Sequence, residues 1–186
     1  AIQVARSVGA EIYATAGSQE KREFLRSIGI QHVMDSRSLA FADEVMERTK
    51  GLGVDVILNS LTGEAITKGL SILAPYGRFL EIGKRAIFED APVGLRLFQN
   101  SQSFFPIDVE RLCLDRTALI RKILEEIVAR FNDGTFQPLR HEVFPLSEAR
   151  SAFRRMAQAK HIGKIVFRQS PPREEGWTRH QEKFRE

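Results

Sequence analysis

GVDVILNSLTGEAITKGLSILAPYGRFLEIGKR, residues 53–85, sets the architecture of the chain. Val54, Val56, Ile57 and Leu58 make a short apolar run rich in β-branched residues. Without polar alternation, that is the pattern of a strand buried on both faces. Asn59 and Ser60 stop it with polar groups. A helix-length segment over 63–73 follows, closed by Pro75 and Gly77. Phe79, Leu80 and Ile82 then predict a second strand ending at Gly83 and Lys84. Strand, helix and strand in this order give parallel strands joined by a right-handed crossover. Both polar strand ends then emerge on one edge of the sheet, where open α/β folds hold their ligands.

The flanking sequence repeats this alternation. Upstream, the pattern predicts a helix over 1–9, a strand over 11–15, a turn at Ala16-Gly17-Ser18 and a helix from Ser18 to a stop at Gly29. A brief strand at His32-Val33-Met34, a loop at 35–38 and a helix over 40–50 lead into the opening stretch. Strands and helices alternating in this way predict an α/β fold with a doubly wound, Rossmann-like parallel sheet. Downstream, residues 103–109 read as a strand, with Pro106 confining it to an edge. A helix over 115–134 keeps Leu119, Ile120, Ile123, Leu124, Ile127, Val128 and Phe131 on one face. A strand over 141–144, a helix capped by Ser147 and a last strand over 164–167 complete the pattern. Residues 169–186 are prolines and mixed charge with little to bury, as in a linker or tail.

Composition narrows the function. The 186 residues are 42% hydrophobic and 28% charged, and carry a formal charge of +4, as in an ordinary globular protein. No basic stripe points to nucleic acid, and no apolar run is long enough to span a bilayer. The lone Cys113 excludes an internal disulfide and a multi-cysteine zinc site. A cytoplasmic protein without a metal is the expectation.

The turn at Ala16-Gly17-Ser18 carries chemistry. In a dinucleotide fold an acid at this strand end binds the adenosine ribose and selects NAD. Here the strand ends on a bare glycine and a hydroxyl, followed by Lys21 and Arg22. Gly17 leaves room for a 2′-phosphate, Ser18 can donate to it, and Lys21 can neutralise it at a helix N-terminus. The alternative is an N-cap serine followed by surface charges. The missing acid also argues against a methyltransferase that binds S-adenosylmethionine.

GSQEKREFLRSIGIQHVMDSRS, GVDVILNSLTGEAI, LAPYGRFLEIGKR and AFRRMAQAKHIGKIVF, in this order, resemble the enoyl reductase domains of type I polyketide synthases and animal-type fatty acid synthases. These form a zinc-free, quinone-oxidoreductase-like branch of the medium-chain dehydrogenases. The resemblance covers residues 1–168 and implies NADPH-dependent reduction of an α,β-unsaturated thioester bound to acyl carrier protein, beside neighbouring synthase domains. It implies 2′-phosphate contacts from Ser18, Lys21 and Arg22, and cofactor contacts from Asn59 and Ser60 at one strand tip and Gly83 at the next. Lys84 is implied as proton donor or enolate stabiliser, which suits an oxygen that develops negative charge. Phe105 and Ile107 lie where the family presents strand backbone to the nicotinamide carboxamide.

Two departures stand out. The aspartate that usually follows the family's GK-R segment is Ala86 here, so a Lys–Asp pair is lost unless Glu89 or Asp90 substitutes. The first strand and its glycine-rich loop are also missing from residues 1–168, which implies a sheet truncated at the N-terminus, with an empty slot between the strands over 11–15 and 54–58 and an incomplete pyrophosphate cradle. The chain then reads as the larger part of a nucleotide-binding domain, inactive alone, with its last strands returning toward a substrate lobe. A stand-alone quinone or alkenal reductase and an inactive structural domain are the alternatives. An edge strand over 103–109 invites homodimer pairing.

Overall fold

The computed structural model describes residues 1–169. The expected tail over 169–186 falls outside them apart from Gln169. The chain divides into two compact units, Ala1–Phe136 and the residues from Gln137 onward. Among the described residues no helix is long and apolar enough to cross a membrane.

The first unit runs α1 (Ile2–Ser7), β1 (Tyr13–Ala16), α2 (Gln19–Ser27), β2 (His32–Asp35), α3 (Phe41–Arg48), β3 (Val54–Asn59), α4 (Glu64–Ser71) and β4 (Leu73–Glu81). It continues through α5 (Arg85–Phe88), a 3₁₀ turn (Leu95–Phe98), β5 (Ser103–Pro106), α6 (Val109–Asp115) and α7 (Thr117–Asn132). The α/β, Rossmann-like reading is borne out, because every strand pair is parallel. β1 pairs with β2, and β3, β4 and β5 form a second sheet in that order. Among the described residues no pairing joins β1 to β3, so the sheet is divided between those two strands.

One apolar cluster spans both parts. Met34 of β2, Phe41, Ala42 and Val45 of α3, Ala65 of α4 and Ile72 are buried together, with Tyr13 of β1 and Ile57 of β3 packed against them. A second cluster of Ile66, Leu70, Leu73 and Phe79 lies between α4 and β4. Phe79 is fully buried and stacks on Phe104 of β5 at 5.4 Å. Burial of such a side chain contributes about 1.5–3 kcal/mol, so this contact fastens α4 and β5 onto β4.

Several expectations are corrected. β3 is not buried on both faces: Val56 and Leu58 remain 45% and 51% exposed, because the helices cover only the side that Ile57 faces. Pro75 and Gly77 do not separate helix from strand. α4 ends at Ser71 and β4 begins at Leu73, with Val54 opposite Leu73 and Val56 already opposite Arg78. Pro75 has no N–H for the ladder, so residues 74–77 bulge out, with Tyr76 at φ 61°. A Cβ on Gly77 would stand 2.8 Å from the Ala74 carbonyl oxygen.

The strand over 103–109 stops at Pro106, because the Asp108 side chain accepts from the Arg111 N–H and starts α6. β5 lies at the end of its sheet, as Pro106 predicts. The helix expected over 115–134 is α7, Thr117–Asn132, and Arg116 separates it from α6, which the sequence pattern did not predict. The apolar stripe of α7 is open among the described residues, with Leu124 55% and Val128 56% exposed.

In the second unit β6 (His141–Pro145) and β7 (Lys164–Arg168) pair in parallel around α8 (Ala149–Ala157). Ser147 does not cap α8; it sits in a 3₁₀ turn (Leu146–Glu148) before it. Ala152 is fully buried, and Arg155 binds Glu142 through two hydrogen bonds.

Gly69 tests the α4–β4 packing. A Cβ there would stand 2.8 Å from Cε2 of Phe79, a ring with no room to move. Alanine favours a helix over glycine by about 1 kcal/mol, whereas overpacking a core costs about 1–3 kcal/mol. We expect Gly69→Ala to lower the melting temperature; a rise in thermal denaturation would refute the packing argument.

Candidate functional site

Three strand ends converge on Glu81. This last residue of β4 stands opposite Asn59 of β3 and Pro106 of β5 in the ladder, and is 1% exposed. Its Oε2 accepts from Asn59 Nδ2 at 2.5 Å, and its Oε1 accepts from the Gly83 N–H at 2.5 Å. Its backbone carbonyl accepts from the Ile107 N–H at 2.7 Å, while Ile82 N–H donates to the Asn59 carbonyl at 2.9 Å. A Cβ on Gly83 would lie 2.7 Å from Glu81 Oε1, so glycine is what lets the chain fold over the carboxylate.

Asn59 is held rather than offered. Its Nδ2 also donates to the Leu61 carbonyl at 2.8 Å and its Oδ1 accepts from the Leu61 N–H at 3.2 Å. With 7% exposure, its polar atoms all serve to shape the tip, and Ser60 is the exposed group there. Phe105 stands opposite Leu80 and is 45% exposed. Asn59, Gly83, Lys84, Phe105 and Ile107 are therefore brought to one edge.

Lys84 follows Gly83, and its Nζ lies 3.0 Å from Asp108 Oδ1 and 3.2 Å from Glu110 Oε2. The acid beside this lysine is supplied from the start of α6. Neither Glu89 nor Asp90 substitutes: Glu89 pairs with Arg85 at 2.8 Å, and Ala86 packs against the second apolar cluster. Hydrogen bonds to Asp108 and then Glu110 push the Lys84 ammonium above its ordinary 10.5. Asp108 is held below its ordinary 3.8, first by the Arg111 N–H and then by Lys84. The lysine contribution to stability is present below 10.5 and lost as pH rises through its raised value. The Asp108 contribution is present above 3.8 and lost as pH falls through its lowered value. The pair is thus complete across neutral pH.

The other expected cluster lies at the end of β1. Ser18 caps α2, its Oγ accepting from the Lys21 N–H at 3.3 Å, which leaves the hydroxyl hydrogen free to donate. Arg22 is engaged elsewhere, with Nη1 2.9 Å from the Ala16 carbonyl and 3.0 Å from Asp35 Oδ2. It ties β1 to β2. Arg37 is the cation that sequence reasoning missed: a Cβ on Gly17 would meet its Nε at 3.2 Å and Ser36 Oγ at 3.3 Å. No ion pair engages the Arg37 guanidinium among the described residues. The signal was in the register, since Ala16 stands opposite Asp35 and parallel pairing brings the residues after each together. A guanidinium and a hydroxyl beside a bare glycine, with Ser18 and Lys21 in the turn that starts α2, are the donor types that fit a phosphomonoester.

The chain matches the zinc-binding dehydrogenase family over residues 28–167. It is 48% identical to a phenolphthiocerol/phthiocerol polyketide synthase of Mycobacterium tuberculosis and 47% identical to a mycocerosic acid synthase-like polyketide synthase of Mycolicibacterium smegmatis. Each match covers 90% of this chain but only 8% of the relative. Among solved structures it is 44% identical to the CurK enoyl reductase, with a TM-score of 0.79 over 91% of this chain and 50% of that one. It is 47% identical to the nucleotide-binding subdomain of the enoylreductase domain of PpsC from M. tuberculosis, with a TM-score of 0.68 over 73% of this chain and 76% of that one.

The family's name implies a zinc ion. Among the described residues no three His, Cys, Asp or Glu side chains are grouped to hold an ion, and Cys113 is exposed. That donor set does not fit a metal. The family match over most of the chain and the 47% identity to a subdomain of which 76% is covered assign the chain to the zinc-binding dehydrogenase family, among the enoyl reductase domains of polyketide synthases.

Proposed function

We propose that this chain is most of the nucleotide-binding half of an NADPH-dependent enoyl reductase. Its substrate is an α,β-unsaturated thioester on an acyl carrier protein, within a multidomain synthase in the cytoplasm. The observation that carries this reading is the Lys84 ammonium, held at the strand-tip edge between Asp108 and Glu110.

When bound, NADPH would supply a hydride to the β-carbon of the substrate, whose α-carbon then takes a proton. Lys84 keeps a full positive charge at neutral pH, since its partners raise its affinity for the proton. It suits stabilisation of the enolate oxygen better than donation of its own proton. Ser18, Lys21 and Arg37 would receive the 2′-phosphate, and Ser60, Gly83, Phe105 and Ile107 would line the nicotinamide end, with Asn59 shaping it from beneath. With an acid restored to Lys84, Ala86 is no argument for an inactive domain.

The break between β1 and β3 leaves the cofactor cradle incomplete in these residues, so we expect the isolated chain to bind NADPH weakly. Submicromolar affinity in a titration would contradict that. In the intact reductase, Lys21→Ala and Arg37→Ala should each weaken NADPH about tenfold while leaving NADH unchanged, given about 1.5–3 kcal/mol for a hydrogen bond to a charged group. Equal losses for both cofactors would refute the phosphate assignment.

Asp108→Asn separates the two duties of that residue. Asparagine still caps α6, so stability should hold, while Lys84 loses a carboxylate and its pKa falls. The reduction rate should then drop on the alkaline side at a lower pH than in the parent. Asp108→Ala should also cost about 1 kcal/mol of stability through the lost cap. An unmoved alkaline limb in the pH–rate profile of Asp108→Asn would show that the pair has no part in the reaction. The open edge of β5 would pair two copies across a two-fold, and a monomer in sedimentation at high concentration would dismiss that.

A further inference from the structure

Glu81 has a charge that nothing beside it neutralises. Among the described residues it and Asn59 are the buried polar side chains, and no Lys, Arg or His pairs with Glu81. Its partners are the N–H donors of Asn59 and Gly83, one at each oxygen. The Asn59 amide cannot be reversed, because its oxygen already faces the Leu61 N–H and its nitrogen the Leu61 carbonyl. Both Glu81 oxygens must therefore accept, as a carboxylate does; an amide offers one acceptor atom, and a protonated acid would bring an O–H that neither partner can accept.

Burying an unpaired charge costs several kcal/mol. A fold that keeps one at the tips of three parallel strands breaks its own local rules at the edge where such sheets bind ligands. A glutamine would fill the same volume but turn its NH2 toward one of the two donors, so the carboxylate is needed as a double acceptor, and the charge that comes with it is left without a counterion. That residual charge is available to an incoming cation.

We propose that Glu81 sets the redox-state preference of the site. Its buried carboxylate, held beneath the tips of β3, β4 and β5, favours the cationic oxidised nicotinamide over the neutral reduced one. The same carboxylate would then stabilise the positive charge that grows on the ring as the hydride leaves. This rests on the proposal above that the nicotinamide sits over these tips. Glu81 touches neither cofactor nor substrate; it acts through charge and by positioning Asn59 and the Gly83–Lys84 turn.

The experiment is a pair of binding titrations, with NADP⁺ and with NADPH, on the intact reductase and its Glu81→Gln and Glu81→Asp variants. Glu81→Gln should weaken NADP⁺ about tenfold more than NADPH, as loss of one unit charge at moderate range predicts. Glu81→Asp keeps the charge and should keep the parental ratio of the two affinities even where both weaken. Should Glu81→Gln not fold, Glu81→Met removes the charge without inserting a donor, and the same ratio is read. Equal weakening of both forms in the neutral variants, or an altered ratio in Glu81→Asp, would overturn the proposal. A parent protein that binds neither form would instead remove the cofactor reading itself, a different result from a shared loss in the variants.

Discussion

The carboxylate of Glu81 makes one rigid edge out of three strand ends. Side-chain bonds reach the β3 tip through Asn59 and the turn after β4 through Gly83, and the Glu81 carbonyl reaches the chain after β5 through Ile107. In a buried setting each bond is electrostatically stronger than in water, and a missing partner is correspondingly costly. The strand tips therefore stay together or separate together, and the residues on them keep their spacing. Lys84 inherits its place from this arrangement, because it follows the glycine that folds over the carboxylate.

A second tie completes the edge from outside. Asp108 caps α6 and also binds Lys84, so the helix start and the candidate reactive lysine hold one another. The β1–α2 turn is organised in a similar way. Arg22 commits its guanidinium to Ala16 and Asp35, and in doing so sets the end of β2 beside Gly17, where Arg37 and Ser36 crowd in. One arginine builds the turn, and the guanidinium of the other has no ion pair among the described residues.

Much of this is legible in the residues alone. The apolar runs stop at Asn59 and Gly83 because strands buried in a sheet change to polar or flexible residues where they emerge, and both strands do emerge on the same edge. Ser18 announces its cap through its position before a charged helical turn. What escapes such reading depends on contacts distant in sequence. Glu110 meets Lys84 across 26 positions, and no local pattern connects them. Asp108 reads as part of a strand because the apolar residues before it look extended. Pro75 marks an interruption without saying whether a helix ends or a strand bulges. The exposed faces of β3 and α7 show the converse case: their apolar patterns imply cover that the first unit by itself does not supply.

The bulge at residues 74–77 governs more than its own loop. Apolar parallel strands can slide past one another, since successive registers bury similar side chains, and a shift of one residue turns every side chain to the opposite face. Here the strand re-enters through Tyr76 in a left-handed conformation and the crowded Gly77, with Arg78 opposite Val56. From that point the ladder counts forward to bring Glu81 level with Asn59. A loop far along β4 from the candidate site thus acts as its alignment pin, and shortening it by a single residue would shift Glu81 out of level with Asn59 without touching any group at the strand tips.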